Sequence, residues 1–164
     1  MAAPTPEAII EYLRRSYTAA DGLWFMVVEE ESSFERALAL DSKVWGILAK
    51  IQARRAKELL QLRGGSLDDL LAGLALKFAA EEYAYRVERP QAERAQVVIE
   101  GCPWLRLLQK SGREALAATV AREICPVDFS AWAREFGPGL RAQVGPTLCE
   151  GHPWCEVTLV TEGP

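Results

Sequence analysis

Long apolar runs are missing from this sequence, and so is a surplus of positive charge. No stretch approaches the ~20 apolar residues that a membrane helix needs, so no membrane partner is expected. Lys and Arg number 19 against 23 Asp and Glu, a net charge of -4. Without a basic face, nucleic acid is not an expected partner either. Arg54-Arg55, with Lys50 and Lys57, reads as a solvated helix face. The opening Met-Ala-Ala-Pro-Thr-Pro-Glu has neither the basic nor the apolar segment of a secretory leader, which makes the expected location cytoplasmic. Histidine is nearly absent, with His152 alone. No internal repeat and no low-complexity segment occurs.

What remains is a chain of 164 residues, 49% hydrophobic, enough for one domain (1–164) with a core that needs no staples. Thr5-Pro6 starts a helix, and Asp21-Gly22 reads as its stop. The apolar Leu23–Val28 segment reads as a buried strand, adding an edge to a sheet, or as an extended connection. Ser32 with Glu35 makes a capping box for the longest helix, whose expected buried face carries Leu40, Val44, Ile47, Leu48, Ile51 and Leu59. Gly64-Gly65 ends it, and Ser66 with Asp69 caps the next. From Tyr83 the hydrophobic period falls to two. Tyr83–Glu88 and Ala95–Glu100 form a hairpin about Pro90-Gln91. Helices are expected at Pro103–Lys110, Arg113–Ile124 and Phe129–Phe136, then a second hairpin from Leu140–Leu148 and Trp154–Val160. The fold class is α+β: N-terminal helices over 1–80 packed on an antiparallel sheet of about four strands, with helices inserted between its two hairpins (81–164).

Cys102, Cys125, Cys149 and Cys155 are the chemistry-bearing residues. In a reducing compartment they would be thiols or metal ligands rather than disulfides. Cys149-Glu-Gly-His152-Pro-Trp-Cys155 places soft and borderline ligands within seven residues, although the spacing is not that of a zinc finger. Strand parity turns Cys155, Val157 and Leu159 to one apolar face, whereas Cys149 has no such reason to be buried. Cys102 precedes Pro103 at a helix start, where amide donors would lower its pKa. Cys125 lies between two expected helices, with Asp128 three residues on. Free cysteines also serve as small buried hydrophobes, and that alternative stays open, as does a disulfide. An iron–sulfur cluster ranks below zinc because short Cys-x2-Cys runs are missing. Trp24, Trp104, Trp132 and Trp154 would line a cavity or fill core, with core the preferred reading.

Gly101-Cys102-Pro103, Ile124-Cys125-Pro126-Val127-Asp128 and Thr147–Val157 resemble the C-terminal half of the L-2-amino-thiazoline-4-carboxylic acid hydrolase-like family. That part is also similar to the 4-vinyl reductase domain. Asp21–Met26, Ala39-Leu40-Asp41 and Val44-Trp45 resemble an uncharacterised prokaryotic branch near the hydrolase-like family. His152 stands where the family has Asp, Glu156-Val157 where it has Asp-Phe, and Cys149 is additional.

The resemblance implies a hydrolase of a small cyclic amidine or related C–N compound. A metal-bound water would attack the ring carbon between sulfur and nitrogen. Cys102, Cys125, Cys155 and His152 would hold zinc, or less readily iron. His152 would otherwise serve as base, Cys102 as a thiolate nucleophile, and Asp128 as an orienting group. The alternative is a non-enzymatic small-molecule-binding or sensor module of 4-vinyl reductase type. A small-molecule ligand is the expected partner, and a second copy of the chain is counted as a candidate.

Overall fold

The structure is a computed structural model that describes residues 3–162. Helices come first: α1 (Pro6–Glu31), α2 (Phe34–Leu60) and α3 (Leu67–Glu81). Strands β1 (Ala84–Gln91) and β2 (Arg94–Gly101) follow. Next come α4 (Pro103–Lys110), a 3-10 turn (Glu114–Leu116) and α5 (Ala117–Phe136). Strand β3 (Leu140–Val144), a second 3-10 turn (Leu148–Glu150) and β4 (Cys155–Thr161) close the chain. This is an α+β fold with one four-stranded antiparallel sheet among the described residues, in the order β1-β2-β4-β3. Helices are inserted between its two antiparallel strand pairs, as the change of hydrophobic period predicts.

The chain divides into two compact units, residues 1–41 and 42–164. The first holds α1 and the start of α2. The Thr5 hydroxyl caps α1 by accepting from the Ala8 amide. The expected stop at Asp21-Gly22 and the strand at Leu23–Val28 do not form, because α1 runs unbroken through both. A glycine inside a helix costs only about 1 kcal/mol relative to alanine, which the good helix formers around it outweigh. Phe25 packs on Phe34, with ring centroids 5.8 Å apart. The cap of α2 is Ser33, whose Oγ accepts from the Arg36 amide, rather than Ser32.

The second unit carries the sheet. Along β2, Ala95, Val97 and Ile99 point inward, and each faces an inward residue of β4: Leu159, Val157 and Cys155. α3 covers this face with Leu67, Leu70, Leu74 and Phe78, and α5 with Phe129, Trp132, Ala133 and Phe136. Gly73 is needed where the two helices meet, because a Cβ there would lie 2.4 Å from Phe136 Cζ. Pro90 and Gln91 belong to β1, and the hairpin turns instead at Ala92-Glu93. Proline is tolerated there because β1 is an edge strand and gives up no interior ladder bond.

Two departures in the helices position the site. Cys125-Pro126 was expected to separate two helices, yet α5 passes through it. Pro126 forfeits one bond to the Arg122 carbonyl, and the packing of Phe129, Trp132 and Phe136 on the core holds the helix across the gap. The inward face of α2 also differs from expectation. Trp45, Ala49, Ala53 and Ala56 are buried, whereas Val44, Ile47, Ile51 and Leu59 are exposed. Small residues let a helix backbone approach its neighbours closely, a gain that larger side chains on the other face cannot match. Ala53→Leu should therefore overpack the core and cost about 1–3 kcal/mol, while Ile51→Ser should stay within about 0.5 kcal/mol. Urea unfolding of the two variants measures both, and the reverse ranking would restore the larger residues to the core.

Candidate functional site

Helix α3 buries a stripe at i, i+3 and i+4 spacing: Leu70, Leu74, Lys77, Phe78 and Glu81. Two of these positions are charged. Lys77 Nζ lies 3.1 Å from Glu81 Oε1 one turn along and 3.2 Å from Asp128 Oδ2 on α5. It also reaches Gln52 Oε1 at 3.5 Å and sits over the rings of Trp45 (5.4 Å) and Trp132 (5.9 Å). Glu81 is well satisfied. Its Oε1 also accepts from Gln52 Nε2 at 3.5 Å, and its Oε2 accepts from the Trp104 indole at 3.1 Å. Trp104 in turn stands edge-on to Trp45, with centroids 5.0 Å apart.

Asp128 is less complete. Its Oδ2 receives Lys77, but its Oδ1 is buried without a hydrogen-bond partner, and so is Trp132 Nε1 one turn further along α5. Burial pushes the Asp128 carboxyl above its ordinary pKa, the Lys77 charge pulls it back, and Glu81 pushes it up again. For Lys77, burial opposes the charged form, yet the charges of Asp128 and Glu81 together leave its pKa raised. One cation faces two carboxylates, so the fully ionised group carries a net charge of -1.

Beyond Asp128 lie the thiols. All four cysteines are free. Burial raises the Cys125 thiol most, and the charges of Cys102, Asp128, Cys149 and Cys155 raise it further. Cys102 is raised as well. The amides of Leu105 and Trp104 lower its pKa, as a helix start should, but burial outweighs them. The expectation of a low-pKa Cys102 is thereby corrected. Cys149 is pushed up to about 12 and Cys155 to about 11, in both cases chiefly by burial. Cys155 Sγ also accepts from the Leu148 amide at 3.2 Å. Residues 148–150 form a 3-10 turn, so the strand parity used for Cys149 does not apply there. The Tyr83 hydroxyl is raised by burial and then by the charges of Cys102, Glu81, Asp128 and Cys125.

His152 stands apart. It is exposed in the turn before β4, where its amide donates to the Thr147 carbonyl at 3.2 Å. Among the described residues, no three or more His, Cys, Asp and Glu side chains are placed to hold a metal ion. The donor set therefore lends no support to zinc or iron on Cys102, Cys125, Cys155 and His152. Of the tryptophans, Trp132 is core, while Trp24 and Trp154 are exposed.

Thiols raised to about 11 and 12 against an ordinary 9.0 should be roughly 100-fold and 1,000-fold poorer in thiolate at pH 7.5 than free cysteine, and slow to react. Native protein should consume a disulfide reagent far more slowly than protein in guanidinium. The sign for stability follows from the same shifts. The unfolded thiols ionise from about pH 9 while the folded ones stay protonated, so stability should fall as pH rises from 9 through 11–12. Native thiols that react at the denatured rate would contradict these environments.

The second unit is thus a small α+β domain in which two helices cover a four-stranded sheet and enclose an ion-pair group beside thiols. The chain belongs to the Family of unknown function (DUF6125), whose model matches residues 5–156. No curated protein matches it. Among solved structures it is similar to the crystal structure of the phenol-responsive sensory domain of the transcription activator PoxR with phenol. The TM-score is 0.53 at 14% identity, over 87% of this chain and 73% of that one. The likeness is one of fold. No helix among the described residues is long and apolar enough to cross a membrane.

Proposed function

We propose that this protein is a small-molecule-binding module, of the kind used for sensing, that receives its ligand in the interior beside α5. The observation that carries this reading is the pair of buried, unpartnered polar atoms, Asp128 Oδ1 and Trp132 Nε1. A buried polar group without a partner costs about 1–3 kcal/mol, and such sites are filled by water or ligand. The shared fold with a sensory domain solved with phenol supports the same reading. The hydrolytic alternative has less behind it. Attack by Cys102 needs a thiolate, and burial raises the pKa of that thiol, which disfavours one.

A thermal-shift screen of small organic molecules tests the proposal. A ligand present at 100 times its Kd should stabilise the protein by about 2.7 kcal/mol, a rise of several degrees in Tm. Turnover of a cyclic amidine by the purified chain, with no compound raising Tm, would replace the binding reading with the hydrolytic one.

A further inference from the structure

Asp128 and Trp132 lie four residues apart on α5, so their side chains leave the same helix face. They are 6% and 1% exposed. One contributes a vacant acceptor and the other a vacant donor. The neighbouring Glu81 has no such vacancy, since Lys77, Gln52 and Trp104 supply its donors. Both residues border Lys77, whose Nζ lies 3.2 Å from Asp128 Oδ2 and 5.9 Å from the centroid of the Trp132 ring.

The group that fits this pair must accept from the indole N–H and donate to the carboxylate. A hydroxyl does both through a single oxygen. An ammonium can donate to Asp128 but has no lone pair for Trp132. A carboxylate can accept from Trp132 but has nothing to donate, and it would add a negative charge beside Glu81 and Asp128, which already share the cation of Lys77. The surroundings are apolar. Phe136 stacks on Trp132 with centroids 6.0 Å apart, and Phe129 is buried on the same helix. We propose that the ligand is a neutral, largely apolar molecule bearing a hydroxyl group, and that Asp128 and Trp132 are the residues that read that hydroxyl. This rests on the binding reading above.

The test uses titration calorimetry on the full chain with phenol, toluene and benzoate as probes. Phenol should bind at least tenfold more tightly than toluene or benzoate. Trp132→Phe keeps a ring and removes the N–H, so it should weaken phenol about tenfold and leave toluene unchanged. Asp128→Asn should also weaken phenol several-fold and supplies the comparison if Trp132→Phe does not fold by circular dichroism. Toluene binding as tightly as phenol, or a phenol preference unchanged in both variants, overturns the hydroxyl assignment while leaving the binding reading intact. Benzoate binding tightest overturns the requirement for neutrality. No binding by any probe, with no hit in the wider screen, means that the two atoms hold water alone and removes both proposals.

Discussion

Lys77→Met is expected to lower the unfolding free energy by about 3–5 kcal/mol. Lys77 is the cation between Glu81 and Asp128, and all three side chains are buried. Removing it leaves two carboxylates facing each other in the interior, and the penalty comes from that uncompensated charge rather than from a lost contact. Two consequences separate this account from simple loss of packing. The penalty should shrink as pH is lowered, because Asp128 already has a raised pKa and protonates readily once its cation is gone. A triple variant, Lys77→Met with Glu81→Gln and Asp128→Asn, should recover most of the stability, since buried ion groups replaced as a set are often neutral in cost. Urea unfolding at several pH values measures both. A loss below about 1 kcal/mol for Lys77→Met alone would show that the group is solvated and not the buried network described.

Phe78→Ala is expected to cost about 3–5 kcal/mol. The ring is 1% exposed and meets three others: Tyr85 at 4.6 Å, Tyr83 at 5.1 Å and Phe129 at 6.3 Å between centroids. These partners come from β1, its approach and α5, so the truncation opens a cavity where three segments converge and none can collapse into it alone. Small domains are stable by about 5–15 kcal/mol in total, and the loss would consume a large part of that. Phe78→Leu should cost appreciably less because most of the volume is kept. Denaturant unfolding with an unchanged slope is the measurement. Equal stability of the alanine and leucine variants would mean that the aromatic cluster does not hold the core together.

The two predictions act on neighbouring residues of α3 and differ in how far the chain itself announces them. Phe78 follows from helical spacing with Leu70 and Leu74. Lys77 and Glu81 sit on the same stripe, and an i, i+4 charge pair amid apolar residues was the available signal for the ion-pair group. Their third member was harder to place. Asp128 was singled out for lying three residues after Cys125, whereas its contact is with Lys77, 51 positions earlier in the chain. Trp132 was read as core, and it is, but its unsatisfied N–H is a property of the packed neighbourhood alone. The cysteines divide similarly. Parity correctly turned Cys155 inward beside Val157 and Leu159. Cys149 lies in a 3-10 turn, where strand parity has no meaning, and the helix-start effect at Cys102 is smaller than the effect of burial.

Local pattern alone determined the α+β class, the two antiparallel strand pairs, the helix at Pro103–Lys110 and the caps at Thr5 and Ser66, because caps, turns and period-two alternation act within a few residues. Tertiary packing decided which face of α2 turns inward, the continuity of α1 through Gly22 and of α5 through Pro126, and the meeting of Lys77, Glu81 and Asp128 beside the thiols. Those outcomes depend on how closely distant segments approach and on how much water they exclude, and neither quantity exists in the chain until it has folded.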